Sequence, residues 1–343
     1  MKKKAVRILV SLIVFVFLLA QLAYGLYNFQ RYMQSKNEIR TSEVGERSSV
    51  VPETIGDEEY DDIRETYETG DLVEAEKWEE IDEKSDSPAE SFFEIHFFDV
   101  GEADSTLVEC DGHRMLIDGG KPSDSQFLYS YMERHGIDYL DYIVCTHAHE
   151  DHVGGLAGAL NFAKVGIAYA PVTEYDSRAF NSFIKYLSQQ EKEITVPKAG
   201  EQFTLGSANV IVLAPIDMHL AEDNINNSSI VLHIDYGNTS FTITGDAEEA
   251  EEVTILDAGY ELSSTVLRVG HHGSQTSTSQ AFLTAVKPQY CVISVGKGNQ
   301  YDHPHEVTLQ KIQESGAIVY RTDINGEITC ISDGDNVTFI TEK

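Results

Sequence analysis

The sequence predicts a layered α/β domain over residues 91–343, preceded by an apolar N-terminal segment and an acidic stretch. Three observations carry that reading. Runs of 4–9 β-branched and aromatic residues, bounded by Gly, Asp or Asn, alternate with runs of helical periodicity. Gly237-Asn238 between two alternating runs marks a hairpin, so antiparallel pairs stand beside β-α steps and the pattern argues against an all-parallel sheet. Finally, 343 residues that are 41% apolar and 10% aromatic suffice for a sizeable core.

The chain starts basic and then turns apolar. Lys2, Lys3, Lys4 and Arg7 precede a run from Ile8 to Leu26 broken only by Ser11, Gln21, Tyr24 and Gly25. At about 1.5 Å per residue, a helix of this length crosses the roughly 30 Å hydrocarbon layer. Residues 1–36 are therefore expected to be a single-pass anchor in the cell membrane, with a cytoplasmic N-terminus and an extracytoplasmic remainder. A cleaved signal peptide fits less well, because Ala20 and Ala23 are spaced by three rather than by two. Residues 37–90 hold 20 acidic and five basic residues with little apolar content, and read as an extended acidic linker.

From Ser91 onward the elements follow in order. Strands are expected at Phe92–Val100, Thr106–Cys110, Arg114–Ile117, Tyr142–Cys145, Val165–Ala170, Asn209–Leu213, Ile230–Tyr236, Ser240–Thr244, Val266–Val269, Tyr290–Val295 and Ile318–Tyr320. Helices are expected at Ser125–His135, Gly155–Phe162, Ser177–Gln190, Ala247–Asp257, Ser279–Val286 and Glu306–Ser315. Cys110, Cys145, Cys291 and Cys330 lie far apart with no Cys-x-x-Cys pair, and read as buried thiols. The whole chain has 25 basic against 57 acidic residues, a net charge of −32, and the 91–343 region keeps 14 against 37. That balance excludes broad electrostatic attraction to nucleic acid or anionic lipid.

The chemistry concentrates in Thr146-His147-Ala148-His149-Glu150-Asp151-His152-Val153-Gly154-Gly155, directly after an apolar run. If the chain leaves a strand extended, His147 and His149 project to one side, while Asp151 and His152 turn toward a second point as the glycines open a helix. The arrangement suits two metal ions, with Zn²⁺ the first choice for imidazole and carboxylate ligands and Mn²⁺ the alternative. No Gly-x-Ser-x-Gly, Walker A or Gly-x-Gly-x-x-Gly motif occurs, so neither a serine nucleophile nor a nucleotide cofactor is expected. Two cations about 3.5–4 Å apart would lower the pKa of a shared water toward 7 and supply hydroxide for hydrolysis.

The His-x-His-x-Asp-His signature of residues 147–152 resembles that of the metallo-β-lactamase superfamily. Phe98–Ser105, Leu116–Gly120, Thr244-Gly245-Asp246, Gly270–Ser274 and His303-Pro304 recur in that order in the C-terminal hydrolase domain of ComEC-type DNA-internalisation competence proteins. The resemblance covers Phe92 to Ile331 and implies a four-layer αββα sandwich with a two-metal site at one edge of the facing sheets. It makes His147 and His149 ligands of a first metal, Asp151 and His152 ligands of a second, and Asp246 the bridge. His271 is taken as the late second-metal ligand, with His272 able to exchange roles. Asp118 would orient the metal loop, with Asp99 and Asp104 nearby, and Ser274 would contact substrate. His303 would give a proton to a leaving oxygen or hold a phosphoryl group, and Asp151 is counted with it as catalytic. No histidine falls in the stretch that matches the family's third first-metal ligand, so an Asn oxygen, Asn227, stands in for it. Glu102 and Ala103 replace the family's usual Gln and Gly.

The resulting expectation is a membrane-anchored, extracytoplasmic, metal-dependent hydrolase, a phosphodiesterase or nuclease, with single-stranded DNA one candidate substrate. The acidic surface argues instead for a smaller phosphodiester, since a strand-tracking nuclease normally offers a basic groove with aromatics. The rival reading is a non-catalytic surface binding module on a degenerate fold.

Overall fold

The computed structural model describes residues 92–343. The expected anchor (1–36) and acidic linker (37–90) lie outside the described residues. Among the described residues, no helix is long and apolar enough to cross a membrane.

Strands β1 (Phe93–Phe97), β2 (Thr106–Cys110), β3 (His113–Ile117), β4 (Tyr139–Val144), β5 (Lys164–Tyr169) and β6 (Ile194–Thr195) join two late strands, β14 (Ile328–Ser332) and β15 (Val337–Thr341), in an eight-stranded sheet of order β15-β14-β1-β2-β3-β4-β5-β6. The second sheet uses β7 (Gln202–Leu205), β8 (Ala208–Ala214), β9 (Val231–Tyr236), β10 (Thr239–Ile243), β11 (Val266–Arg268), β12 (Tyr290–Ile293) and β13 (Ile318–Arg321), in the order β13-β12-β11-β10-β9-β8-β7. Each sheet is mixed. β3 to β6 and β10 to β13 run parallel, and the other pairs are antiparallel. Gly237-Asn238 forms the expected hairpin, with Tyr236 opposite Thr239 and Gly237 at φ +59°.

Period-two alternation builds three apolar layers from these strands. Phe93, Ile95 and Phe97 of β1 and Val108 of β2 meet Val210, Leu232, Phe241 and Val292 between the sheets. Leu107, Leu116 and Ile143 point the other way, under α1 (Ser125–Arg134), α2 (Leu156–Phe162) and α3 (Arg178–Gln189), against Leu128, Leu156 and Phe180. On the far side, Leu213, Leu267 and Ile293 pack beneath α4 (Glu249–Ala258), α5 (Gln280–Val286) and α6 (Glu306–Ser315), against Ile255, Phe282 and Ile312. The molecule is thus helices, sheet, sheet, helices, the four layers implied by the resemblance. All four cysteines are buried and unpaired.

The six expected helices are all present, within two residues of their expected ends. β6, β7, β14 and β15 were not anticipated. Three of these sit at sheet edges, where a strand needs little apolar sequence. β1 also stops at Phe97 rather than Val100, and Asp99 beyond it is exposed.

This topology gathers one set of loops. The segments leaving the carboxyl ends of β3 and β4 in one sheet meet those leaving β10, β11 and β12 in the other, and the chemically notable side chains lie on them.

Candidate metal centre

Asp118 organises the loop that follows β4. It stands just after β3 with φ +58°, a left-handed conformation that Asp tolerates better than most residues. Its backbone N–H donates to the Val144 carbonyl at 2.8 Å. Its carboxylate accepts from the Thr146 backbone N–H at 2.8 Å, the Thr146 hydroxyl at 2.7 Å and His152 Nδ1 at 2.8 Å. Gly119 is required next to it, because a Cβ there would come within 2.5 Å of the Leu156 backbone nitrogen. Since a carboxylate only accepts, the bond from His152 puts a proton on Nδ1 and turns Nε2 toward Asp246.

Four imidazoles close on one oxygen. From Asp246 Oδ2, His152 Nε2 is 3.2 Å away, His271 Nε2 and His272 Nε2 are each 3.8 Å, and His147 Nε2 is 3.9 Å. His149 Nδ1 lies 3.0 Å from His147 Nε2, and Asp151 Oδ2 lies 3.6 Å from His272 Nε2. His152 Nε2, His272 Nε2 and Asp246 Oδ1 are buried without a hydrogen-bond partner. Such atoms are costly to bury unless something binds them. Neutral imidazoles and carboxylates aimed at one point are the donor set of a divalent cation, so the residues fit a metal centre.

Burial and neighbouring charges shift these groups in different directions. Burial lowers His147 well below the ordinary imidazole value, with His152 adding to the effect, and burial also lowers His149, which keeps both neutral. Burial alone would raise Asp151, but the nearby His272 and His152 rings hold it well below the usual carboxylate range. Asp246 is held low against the same burial penalty by His152 and His272. Burial would likewise lower His152, but Asp246 and Asp118 raise it.

Several expected roles change place. The expectation favoured His271 over His272 on the premise that both residues stay extended and one points away. Instead both have φ near +50°, so the chain turns and both rings reach Asp246. His272 is the buried one, anchored through Nδ1 to the Ser294 carbonyl at 3.0 Å and facing Asp151. His271 lies on the other side, its Nδ1 3.2 Å from Glu248 and 3.4 Å from Asn226 Nδ2. Asp99 does not join the centre. It is exposed and pairs with Lys343 Nζ at 3.1 Å. The Asn227 oxygen accepts from the Glu248 backbone N–H at 3.2 Å at the start of α4. Ser274 is buried, its hydroxyl facing Thr276 at 3.0 Å and its N–H donating to the His271 carbonyl at 2.7 Å, a brace for the loop rather than a substrate contact. His303 donates from Nδ1 to Glu102 Oε1 at 2.8 Å, its ring centre 5.5 Å from that of His271.

One residue escaped the sequence reading altogether. Arg268 of β11 is buried, pairs with Asp104, donates to the Gly245 carbonyl, and has Nη1 3.8 Å from Asp246 Oδ1. Burial pushes its guanidinium down to about 9, still cationic at neutral pH. The one available signal was an arginine inside the apolar run Val266–Val269. Beside the centre opens a cleft of about 620 Å³, whose lining includes Glu102, Lys121, Glu150, Asp151, Asn299 and Tyr301.

Comparison with known families settles the lineage. Residues 98–297 match the Metallo-beta-lactamase superfamily. The chain belongs to that superfamily. Among curated proteins it is 32% identical over 253 residues to ComE operon protein 3 of Bacillus subtilis (strain 168), covering 68% of this chain and 32% of that protein. It is 30% identical over 236 residues to competence protein ComA of Neisseria gonorrhoeae, covering 68% and 31%. It is 28% identical over 242 residues to recombination protein 2 of Haemophilus influenzae, covering 69% and 28%. The chain therefore spans about a third of the length of the curated relatives it matches. These matches bear out the resemblance to ComEC-type competence proteins. Superfamily members that supply a third histidine to the first metal have no counterpart in His219 or His233. His219 is exposed against Glu222, and His233 lies inside β9 between Thr242 and Asp235.

Proposed function

We propose that this superfamily member is a metal-dependent hydrolase of phosphodiesters, held outside the cell membrane by residues 1–36. The observation that carries the reading is the pair of unpartnered buried nitrogens, His152 Nε2 and His272 Nε2, beside the single oxygen Asp246 Oδ2. His147, His149 and Asp246 would hold one divalent ion, and Asp151, His152, Asp246 and His272 the other. His271 stands at the rim. Zn²⁺ suits this donor set best and Mn²⁺ is the alternative. When bound, such ions make water acidic enough to act as a nucleophile near neutral pH and neutralise phosphoryl charge.

The chain's own residues supply the rest. Asp118 keeps Thr146 and His152 in register. Glu102, which lines the cleft, orients His303, which would protonate the leaving oxygen. Lys121 is the cation among the cleft residues, set against Glu102, Glu150 and Asp151. One lysine amid carboxylates suits a single phosphodiester group better than a tracked strand. The competence protein among the relatives nevertheless makes DNA a substrate to assay.

Parallel assays of the purified protein with bis(p-nitrophenyl) phosphate, single-stranded DNA and a chromogenic cephalosporin test this reading. Hydrolysis of the small diester, abolished by His149→Ala and by Asp246→Ala, is expected. No hydrolysis of any of the three after addition of Zn²⁺ or Mn²⁺ would contradict it. That outcome would favour the second reading, a binding module, for which the specific observation is that His219 faces Glu222 and His233 faces Thr242 and Asp235.

A further inference from the structure

Four residues, Asp104, His152, Asp246 and His272, each place one nitrogen or oxygen within 4.8 Å of the others. Three of these are proposed ligands above, so Asp104 is a spare carboxylate at the edge of the cage. Its backbone is fixed there, its N–H donating to the Asp151 carbonyl at 3.0 Å and its carbonyl accepting from Gly120 at 2.6 Å. A side-chain rotation alone would change what its carboxylate meets. Asp104 Oδ2 lies 3.7 Å from His152 Nδ1, the nitrogen already bonded to Asp118. Its ionic partner is Arg268.

Arg268 is held rigidly. It sits opposite Ile243 of β10 and Val292 of β12, inside the parallel sheet, and its Nη1 donates to the Gly245 carbonyl. The same nitrogen lies 3.8 Å from Asp246 Oδ1, the oxygen turned away from the imidazoles. A buried carboxylate without its cation seeks another cation, because an uncompensated buried charge is expensive. Catalytic metal sites differ from structural ones in keeping a coordination position open, and one more carboxylate ligand would fill it.

We propose that Arg268 withholds Asp104 from the metal centre and so keeps open the position where water and substrate meet. Arg268 is thus a positioning residue acting through Asp104. The inference rests on the reading of the centre given above.

The test uses the full chain loaded with Co²⁺, whose visible bands weaken as coordination number rises. Arg268→Met is expected to retain metal, show weaker bands and lose about 10–100-fold in hydrolysis, the range typical of residues behind metal ligands. Arg268→Lys keeps the charge and is expected to keep the wild-type spectrum. Adding Asp104→Asn to Arg268→Met removes the competing carboxylate and is expected to restore both the bands and most of the lost rate. Asp104→Asn alone is expected to leave the bands unchanged, which keeps the proposal open to contradiction even if Arg268→Met fails to fold. Altered bands in Asp104→Asn would mean that Asp104 is already a ligand and would overturn the proposal. So would a wild-type spectrum in Arg268→Met, or no rescue in the double variant. A wild-type chain that binds no metal would instead bring down the reading of the centre. A wild-type chain that binds metal and hydrolyses diester, matched by Arg268→Met, would bring down this inference alone.

Discussion

Asp118 receives the Nδ1 proton of His152 at 2.8 Å while the opposite nitrogen of the same ring stands 3.2 Å from Asp246 Oδ2. One carboxylate therefore orients an imidazole whose opposite nitrogen faces the other. The relation spans the sandwich, since Asp118 follows β3 in one sheet and Asp246 follows β10 in the other.

Removing Asp118 should loosen the centre without removing a ligand. Asp118→Asn is expected to weaken divalent-ion affinity about 10–100-fold, as for other partners of ligating histidines. A competition titration against a chelating dye measures it. An unchanged affinity would mean that His152 is oriented by something else.

His272 and His271 should differ sharply. His272→Ala removes the buried nitrogen between Asp151 and Asp246 and is expected to lower metal content by about one ion per chain, whereas His271→Ala, at the rim against Glu248, should retain more of it. Elemental analysis of the two variants reads the difference. The reverse order would restore the role first expected of His271.

The Glu102–His303 pair should matter most when the leaving group is poor. His303→Ala is expected to slow hydrolysis of an alkyl phosphodiester by about 100-fold, and that of a p-nitrophenyl diester much less, because p-nitrophenolate leaves without a proton. Glu102→Gln should show the same pattern more weakly. Equal losses on both substrates would argue against proton donation by His303.

Stability should vary with pH through a buried histidine outside the centre. His96 is buried, and although burial alone lowers it, the hydrogen bond to Glu327 and the charges of Glu94, Glu327 and Glu109 raise it above the ordinary value. A raised folded value means that its contribution is fully present below about pH 6.5, the unfolded value, and is lost as pH rises through the folded one. Urea midpoints should therefore fall for the wild type across that alkaline window relative to His96→Gln. A constant difference between the two proteins from pH 6 to pH 9 would contradict this.

Much of the site was legible in the sequence because its densest part is contiguous. His147, His149, Asp151 and His152 announce themselves within one short loop, and the strand and helix periodicities around them were strong enough to place β4 and α2. Asp246 and the His271-His272 pair depended on recognising separated motifs in order. What remained hidden was conformational. Nothing in the residue types says that both His271 and His272 take positive φ, so the premise that one of them must point away failed. Asp99 was expected near the site because it falls in the Phe98–Ser105 motif that carries the resemblance, yet the strand ends at Phe97 and the carboxylate meets Lys343. Arg268 was invisible because an arginine in a strand usually points to solvent, and only the packed sheets reveal that it faces Asp104 in the interior.

The most direct test of the metal centre is the metal content of the purified protein beside that of Asp246→Ala, each equilibrated with Zn²⁺ and freed of excess. Close to two ions per wild-type chain and a clear loss in the variant are expected. A wild-type chain without bound metal, or a variant that keeps as much as the wild type, would contradict the claim that these histidines and carboxylates assemble around Asp246 to bind divalent cations.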